Sequence, residues 1–444
     1  MFDQVEMTTI RGIFKGLAVL ALMLSVSACV TDDEYIREKY IPPVQMNAFL
    51  DDTPAMARKF FANIPRQGIR NEVLNHQRAA LAAMELKDFK SAAVSLDAAI
   101  NRIETIYANN EKAEKTRSNF TKEDFKDYLG EPYERAMAHF YRGLIYMADG
   151  DYQNARAVFK GGLLQDSYAV SESHEQDYAS LAFLGGWASK CDGNAEIAKE
   201  MFDEAAGHND RLGTPPDGHN LLLIADVGTA PTKRAEGEYD EKLIIEQGKT
   251  FDNAIVRAEL GGEHIRLTRA EDIYWQATTR GGRAVDHLLA GKAQFKDNMD
   301  KAGDVLIAGG AAAGTMALAS GSDEAAVAAL VMLFAGAIAK ASAVAAQPDA
   351  DVRYWDNLPD SVFIATAKVG DVPESVNFSF SAEDASARDY EMQVHKGANC
   401  SIAWGRTHSA LNIPARAPGK WLPAKVPPKA ADGKKDDGKK KPTS

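Results

Sequence analysis

Small and aromatic side chains recur at helical period along residues 141–159, YRGLIYMADGDYQNARAVF, on either side of a Gly150-Asp151 break. Gly143 and Tyr146 share one helix face, and Ala155 and Phe159, at i and i+4, share the next. Counting from Gly143, Ala155, Phe159 and Gly162 lie at steps 12, 16 and 19. From Gly186 the same steps reach Ala198, Phe202 and Ala205, and from Ala80 they reach Ala92, Leu96 and Ala99. Turn chemistry falls at matching places: Lys87-Asp88-Phe89, Gly150-Asp151-Tyr152 and Asp192-Gly193-Asn194. A second pattern, rich in Ala and Gly, fills 305–339 and is split by Gly-Ser-Asp-Glu at 321–324, which predicts a helical hairpin. After residue 347 the period drops to two. Val376–Phe380 and Tyr390–Val394 alternate strictly; Ser361–Val369, Ser401–Trp404 and Leu221–Val227 are further strand candidates.

The three helical units resemble the tetratricopeptide repeat, with insertions that set them 63 and 43 residues apart. Three units make a minimal array. In such repeats the first helix of each pair lines a concave groove; here that face carries Phe140, Leu144, Phe183 and Trp187. An open apolar groove is a partner site, and the competing reading is that the protein fills its own groove. The expected fold is therefore mainly α: irregular tetratricopeptide-like repeats, an Ala/Gly-rich helical hairpin and a small antiparallel β region. Gly310 and Gly314 form a GxxxG pair, and Ala335, Ala339 and Ala341 extend the small-residue theme, which suits close helix packing, self-association or membrane contact. Residues 325–339 are too short to span a bilayer.

The N-terminus predicts where the protein lives. Arg11 and Lys15 precede an uncharged apolar run, Leu17–Leu24, and then Val26-Ser27-Ala28-Cys29. That order is a secretory signal. The ending resembles a bacterial lipobox, with Cys29 as the acylated residue carrying palmitate-type chains, and Val30 rather than Asp favours the outer membrane. Asp3 and Glu6 precede the basic region, so Met7 is an alternative start. The expected organisation is a signal peptide over 1–28, a linker and first helix over 29–70, and the repeat domain over 71–210. A connecting strand and helices follow over 211–300, the hairpin over 301–346 and the β region over 347–412. A disordered Pro/Lys-rich tail over 413–444 ends the chain.

Charge narrows the partners. The 444-residue chain carries a net charge of −12, which disfavours nucleic acid. Cys191 and Cys400 are 209 residues apart; in an oxidising periplasm they could pair, but the expectation is two separate buried thiols, because sequence does not place their Cα atoms within bonding range.

Gly228-Thr-Ala-Pro231-Thr-Lys233 and Asp351-Val-Arg353-Tyr-Trp355-Asp-Asn-Leu358-Pro359, with the lipobox, the repeats and the Ala/Gly segment, resemble a family of largely uncharacterised bacterial tetratricopeptide-repeat lipoproteins. Val352 stands where that pattern often has Thr. The resemblance implies location and architecture, not an activity. Arg353 and Trp355 suggest a stacked cation–π brace between sheet and helices. Gly248-Lys249-Thr250 ends like a phosphate loop, but Leu243 stands where that motif needs Gly. His174-Glu175 lacks the second His of a zinc helix, and no GxSxG elbow occurs. No catalytic residue, metal ligand or cofactor site is assigned. The expectation is a lipid-anchored, non-catalytic scaffold on the periplasmic face of the outer membrane. It docks an envelope protein in the repeat groove or, alternatively, serves an assembly or export machinery through the hairpin; a periplasmic hydrolase is the third reading.

Overall fold

The computed structural model describes residues 36–117, 127–167, 177–250, 254–278, 350–382 and 385–427, with shorter stretches between 301 and 340. Three short helices, α1 (Pro43–Phe49), α2 (Arg58–Phe61) and α3 (Asn63–Gln67), lead into three helix pairs. These are α4 (Glu72–Glu85) with α5 (Phe89–Arg117), α6 (Pro132–Ala148) with α7 (Tyr152–Asp166), and α8 (Ala179–Cys191) with α9 (Ala195–His208). The helix starts follow local chemistry. Glu131 and Glu134 form a reciprocal capping box with Pro132 in the first turn of α6. Asp151 and Asn194 cap α7 and α9 by accepting from Asn154 N and Ile197 N.

The repeat positions pack as their sizes require. A Cβ on Gly143 would overlap the Phe159 ring, and one on Gly186 would overlap Phe202. Glycine therefore lets each pair of helices close around an aromatic. Ala155, Ala198 and Ala205 are buried at the same crossings, and Tyr146 is half-buried under the Arg142 guanidinium, 3.6 Å from its ring centroid.

The remainder overturns the expectation of a mainly-α, tetratricopeptide-like fold with a small antiparallel β region. The described residues are about 44% helix and 22% strand, and the second layer is an eight-stranded mixed sheet that is nearly closed into a barrel. Its order is β5-β4-β8-β9-β10-β1-β7-β6. Along the chain these are β1 (Leu221–Val227), β4 (Ile255–Leu260), β5 (Glu263–Arg266), β6 (Thr268–Asp272), β7 (Ser361–Ala367), β8 (Ser375–Ala382), β9 (Ala385–Lys396) and β10 (Ser401–Arg406). A separate ribbon pairs β2 (Thr232–Glu236) with β3 (Lys242–Glu246), and a short helix α10 (Ile273–Thr278) follows β6. Segment 211–300 is thus mostly strand where described, and the β region of 347–412 is half of one larger sheet.

One strand-length of chain makes the closure. β5 and β6, at opposite ends of the sheet order, are separated only by Leu267. β5 pairs with β4 and β6 pairs with β7, so a single bent segment seams both edges. Leu267 itself points into the barrel core and donates its amide to Val256 O at 2.9 Å. Gly261 and Gly262, both at positive φ, form the two-residue turn that reverses β4 into β5.

β1 is central, parallel to β10 and antiparallel to β7. All seven of its residues are buried, and period two assigns them to two cores. Leu221, Leu223, Ala225 and Val227 fill the barrel with Val256, Phe363, Phe378, Phe380 and Met392. Leu222 and Ile224 face the helices together with Val362, Ile364 and Ile402. The predicted disordered tail is also corrected over 413–427. Arg78 on α4 donates to the carbonyls of Pro414, Ala415 and Arg416, and Leu422 bridges to Arg37.

Candidate functional site

The groove positions lie where helices and sheet meet. Phe140, Leu144 and Trp187 are sealed, and Phe183 is only 4% exposed. The concave face is covered by the outer side of the barrel and by segments 350–360 and 408–417. It is therefore not open to a partner, and the sequence expectation of a docking groove there is corrected: the occupant is this chain's own sheet.

What fills that seam is polar as well as apolar. Glu134, fully buried on α6, accepts from the Glu131 amide at 2.7 Å, the Trp355 amide at 2.7 Å and Lys233 Nζ at 2.9 Å. It thereby joins a helix start, the 350–360 segment and the β2–β3 ribbon. Arg78 makes a two-pronged pair with Asp356, at 2.6 and 3.1 Å. Burial raises the Asp356 carboxyl, and the Arg78 charge and hydrogen bonds oppose that. Arg353 is also buried. It donates to Arg70 O, Asn71 Oδ1 and Asp351, and its guanidinium lies 5.4 Å from the Tyr128 ring. The Arg353 cation–π partner is thus Tyr128 and not Trp355. Trp355 instead meets Tyr141 edge-on at 5.9 Å and donates Nε1 to Asn357. Both residues tie the 350–360 segment to the helical layer, through different partners than the expected mutual stack. Tyr141 reaches across the seam to donate to Asp226 of β1 at 2.7 Å. Burial pushes the Asp226 carboxyl up to about 6, with Arg406 and Tyr141 pulling against it.

A second carboxyl lies deeper. Glu271 on β6 accepts from Ser180 N, Ser180 Oγ and Gln276 Nε2, at 3.1, 3.0 and 2.9 Å. Burial pushes it up to about 8 despite those donors, and the nearby Asp166 acts in the same direction.

The loop after β1 gathers the remaining polar groups. Gly228 and Gly248 sit where a Cβ would strike opposing backbone, so the 228–231 and 247–250 loops cross main chain to main chain. Thr229 N donates to Lys249 O, and Lys249 N donates to Thr229 Oγ1 at 2.7 Å. Thr250 Oγ1 donates to Asp360 Oδ2 at 2.9 Å, and burial raises Asp360 to about 6. The Lys249 amide and the Thr250 hydroxyl are thus held by internal partners, consistent with a chance likeness to a phosphate loop. His408 touches Thr407 Oγ1 through Nδ1 at 3.1 Å, and burial with Lys249 and Arg406 lowers its pKa. Thr407 Oγ1 also accepts from Gly228 N at 3.2 Å and donates to Asp226 O at 3.4 Å, so this hydroxyl is tied to the backbone around it. Among the described residues no group of three His, Cys, Asp or Glu side chains is placed to hold a metal ion.

Cys191 and Cys400 form a disulfide with Cα atoms 5.7 Å apart, which replaces the expectation of separate thiols. It ties the end of α8 to the start of β10, and Tyr152 Oη donates to Cys400 O beside it. No family model, curated protein or solved structure matches this chain. The function is therefore argued from the molecule itself.

Exposed apolar side chains do occur outside the seam. The described residues of the Ala/Gly segment are helical, and Lys340 Nζ lies 2.7 Å from Asp304 Oδ1. The end of the second half therefore lies beside the start of the first, as a hairpin requires. Val305 is 71% exposed; Ile307, Met332 and Leu333 are also exposed. Ala329 is buried. Among the described residues no helix is long and apolar enough to cross a membrane. Cys29, Gly310, Gly314 and His174-Glu175 lie outside the described residues.

Sequence reasoning missed β4, although Val256 and Ala258 alternate with Arg257 and Glu259 across it. It also missed Glu134, Asp226 and Glu271. Each is a charge inside an apolar pattern, and its partners lie tens to hundreds of residues away.

Proposed function

We propose that this chain is a lipid-anchored envelope protein with a non-catalytic, accessory role, and that it engages a protein partner through the 304–340 hairpin. The partner is a component of an envelope assembly or export machinery, or a second copy of this chain. The observation that carries this reading is a contrast in burial. The repeat-groove residues Phe140, Leu144, Phe183 and Trp187 are enclosed by the sheet, whereas Val305, Ile307, Met332 and Leu333 are left exposed on the hairpin. Exposed apolar side chains grouped on one element favour a contact surface. The envelope location is supported by the Cys191–Cys400 bond, because disulfides persist in oxidising compartments. The basic–apolar–Cys29 order at the N-terminus points the same way.

The test is site-specific photo-crosslinking in the native host, with the crosslinker placed at 305, at 333 and at the exposed helical control Val94. Discrete adducts from 305 and 333 but not from 94 are expected, and Val305→Glu/Leu333→Glu removes them. Equal labelling from all three positions, or none from the hairpin, overturns the reading.

A further inference from the structure

Segment 36–38 meets segment 421–423. Glu38 N donates to Leu422 O and Leu422 N donates to Ile36 O, both at 2.8 Å, so segment 36–38 pairs with 421–423. Lys39 N donates to Arg66 O at 2.7 Å, and Arg70 donates to Lys420 O at 3.3 Å, which brings 66–70 into the same face. Arg416 clamps Glu38 and lies 4.0 Å from the Trp421 ring centroid. On these three joined segments stand Tyr40, Val44, Ile69, Trp421 and Val426, all exposed. Exposed tryptophan and tyrosine beside aliphatic residues are the composition of a membrane–water interface.

Charge on these segments runs against the rest of the molecule. Residues 30–70 and 410–444 carry 15 Lys or Arg and 9 Asp or Glu, in a chain whose net charge is −12. Juxtamembrane basic residues each add about 1 kcal/mol of attraction to an anionic leaflet. Geometry adds the decisive constraint. Ile36 is seven residues from Cys29, and seven extended residues reach at most about 25 Å. An acylated Cys29 therefore holds Ile36 and the face it belongs to within that distance of the bilayer.

We infer that the end built from 36–44, 66–70 and 416–426 is a membrane-docking face that lies against anionic lipid, with Trp421 and Tyr40 at the headgroup level. This rests on the anchored reading above. It deepens that reading by fixing which side of the body faces lipid.

The experiment uses the exported full-length chain with Cys29→Ser, so that no acyl chain contributes. It is sedimented with vesicles of phosphatidylethanolamine and phosphatidylglycerol, and with phosphatidylcholine vesicles. Binding to the phosphatidylglycerol vesicles is expected, reduced in 0.5 M salt on the order of the Debye screening it imposes. Trp421→Glu/Val426→Glu is expected to weaken it roughly tenfold or more. Both side chains are exposed, so thermal melts of the variant should match the parent; Ile69→Glu is the second variant with the same expectation. Absence of vesicle binding, binding unaltered by both variants, or a preference for isolated peptidoglycan overturns the docking face. Acylation is read separately, by incorporation of a palmitate analogue into the parent chain and its loss in Cys29→Ser. An acylated protein without a lipid-binding face and a lipid-binding face without acylation are thereby told apart.

Discussion

The inside of the barrel and the seam between barrel and helices are built from the same strands, yet in opposite chemistry. Odd positions of β1 enter a core of Leu, Val, Ala and Phe; of the even positions, Asp226 accepts from Tyr141 across the seam. The barrel interior is held by area alone, which tolerates many arrangements of similar volume. The seam is held by directed bonds, Tyr141 to Asp226 and Ser180 to Glu271 onto the strands themselves, and Glu134 to Lys233 and Trp355 and Arg78 to Asp356 through the β2–β3 ribbon and the 350–360 segment. Buried ion pairs contribute little net stability but penalise any arrangement that strands a charge. The difference teaches that the strands themselves form on burial, whereas the orientation of the sheet on the helices is specified by a few partner-demanding side chains.

The comparison can be broken most strongly at Glu134. Glu134→Ala leaves the buried Lys233 ammonium without its nearest carboxylate and should cost about 3–5 kcal/mol in denaturant unfolding. Glu134→Leu/Lys233→Met should recover much of that, because the penalty lies in the stranded charge; no recovery would mean that packing, not charge, sets the seam. In the barrel, Leu223→Ala should cost about 3 kcal/mol through lost burial and the residual cavity. No second substitution at a charged position should rescue it.

A pH titration sharpens the contrast next. Glu271 stands at about 8 in the folded chain against an ordinary value of 4.5, so between those values the folded state binds the extra proton. Stability should therefore fall as pH rises from about 4.5 to 8, by at most roughly 1.4 kcal/mol per unit. Glu271→Gln should flatten that slope in urea unfolding at pH 5 and pH 8, while Leu223→Ala leaves it unchanged. An unaltered slope would place the proton elsewhere. The smallest effect is expected away from both cores: Asp151→Ala removes the cap of α7 and should cost about 1 kcal/mol.

The helix pairs were legible because close crossing leaves a trace in composition. Only Gly143 and Gly186 admit Phe159 and Phe202, so size alone marked them. β1, β7, β8, β9 and β10 were legible at least in part as apolar runs or alternation. The barrel was not, because its closing segment, EHIRLTRAED, is rich in charge and gives the two cores just Ile265, Leu267 and Ala270. The occupant of the repeat groove was equally hidden. It is a sheet assembled from strands on both sides of the Ala/Gly segment, and no local period reports a partner more than a hundred residues away. The disulfide shares that limit, since spacing carries no information on Cα distance.

The position of β10 bears on how much of the gene is dispensable. A stop codon anywhere before codon 401 removes the last strand and so unpairs both β1 and β9. It also deletes the partner of Cys191 and takes away the strap at 408–417 that covers Asn357 and Arg78. Nonsense alleles before codon 401 should therefore behave as nulls.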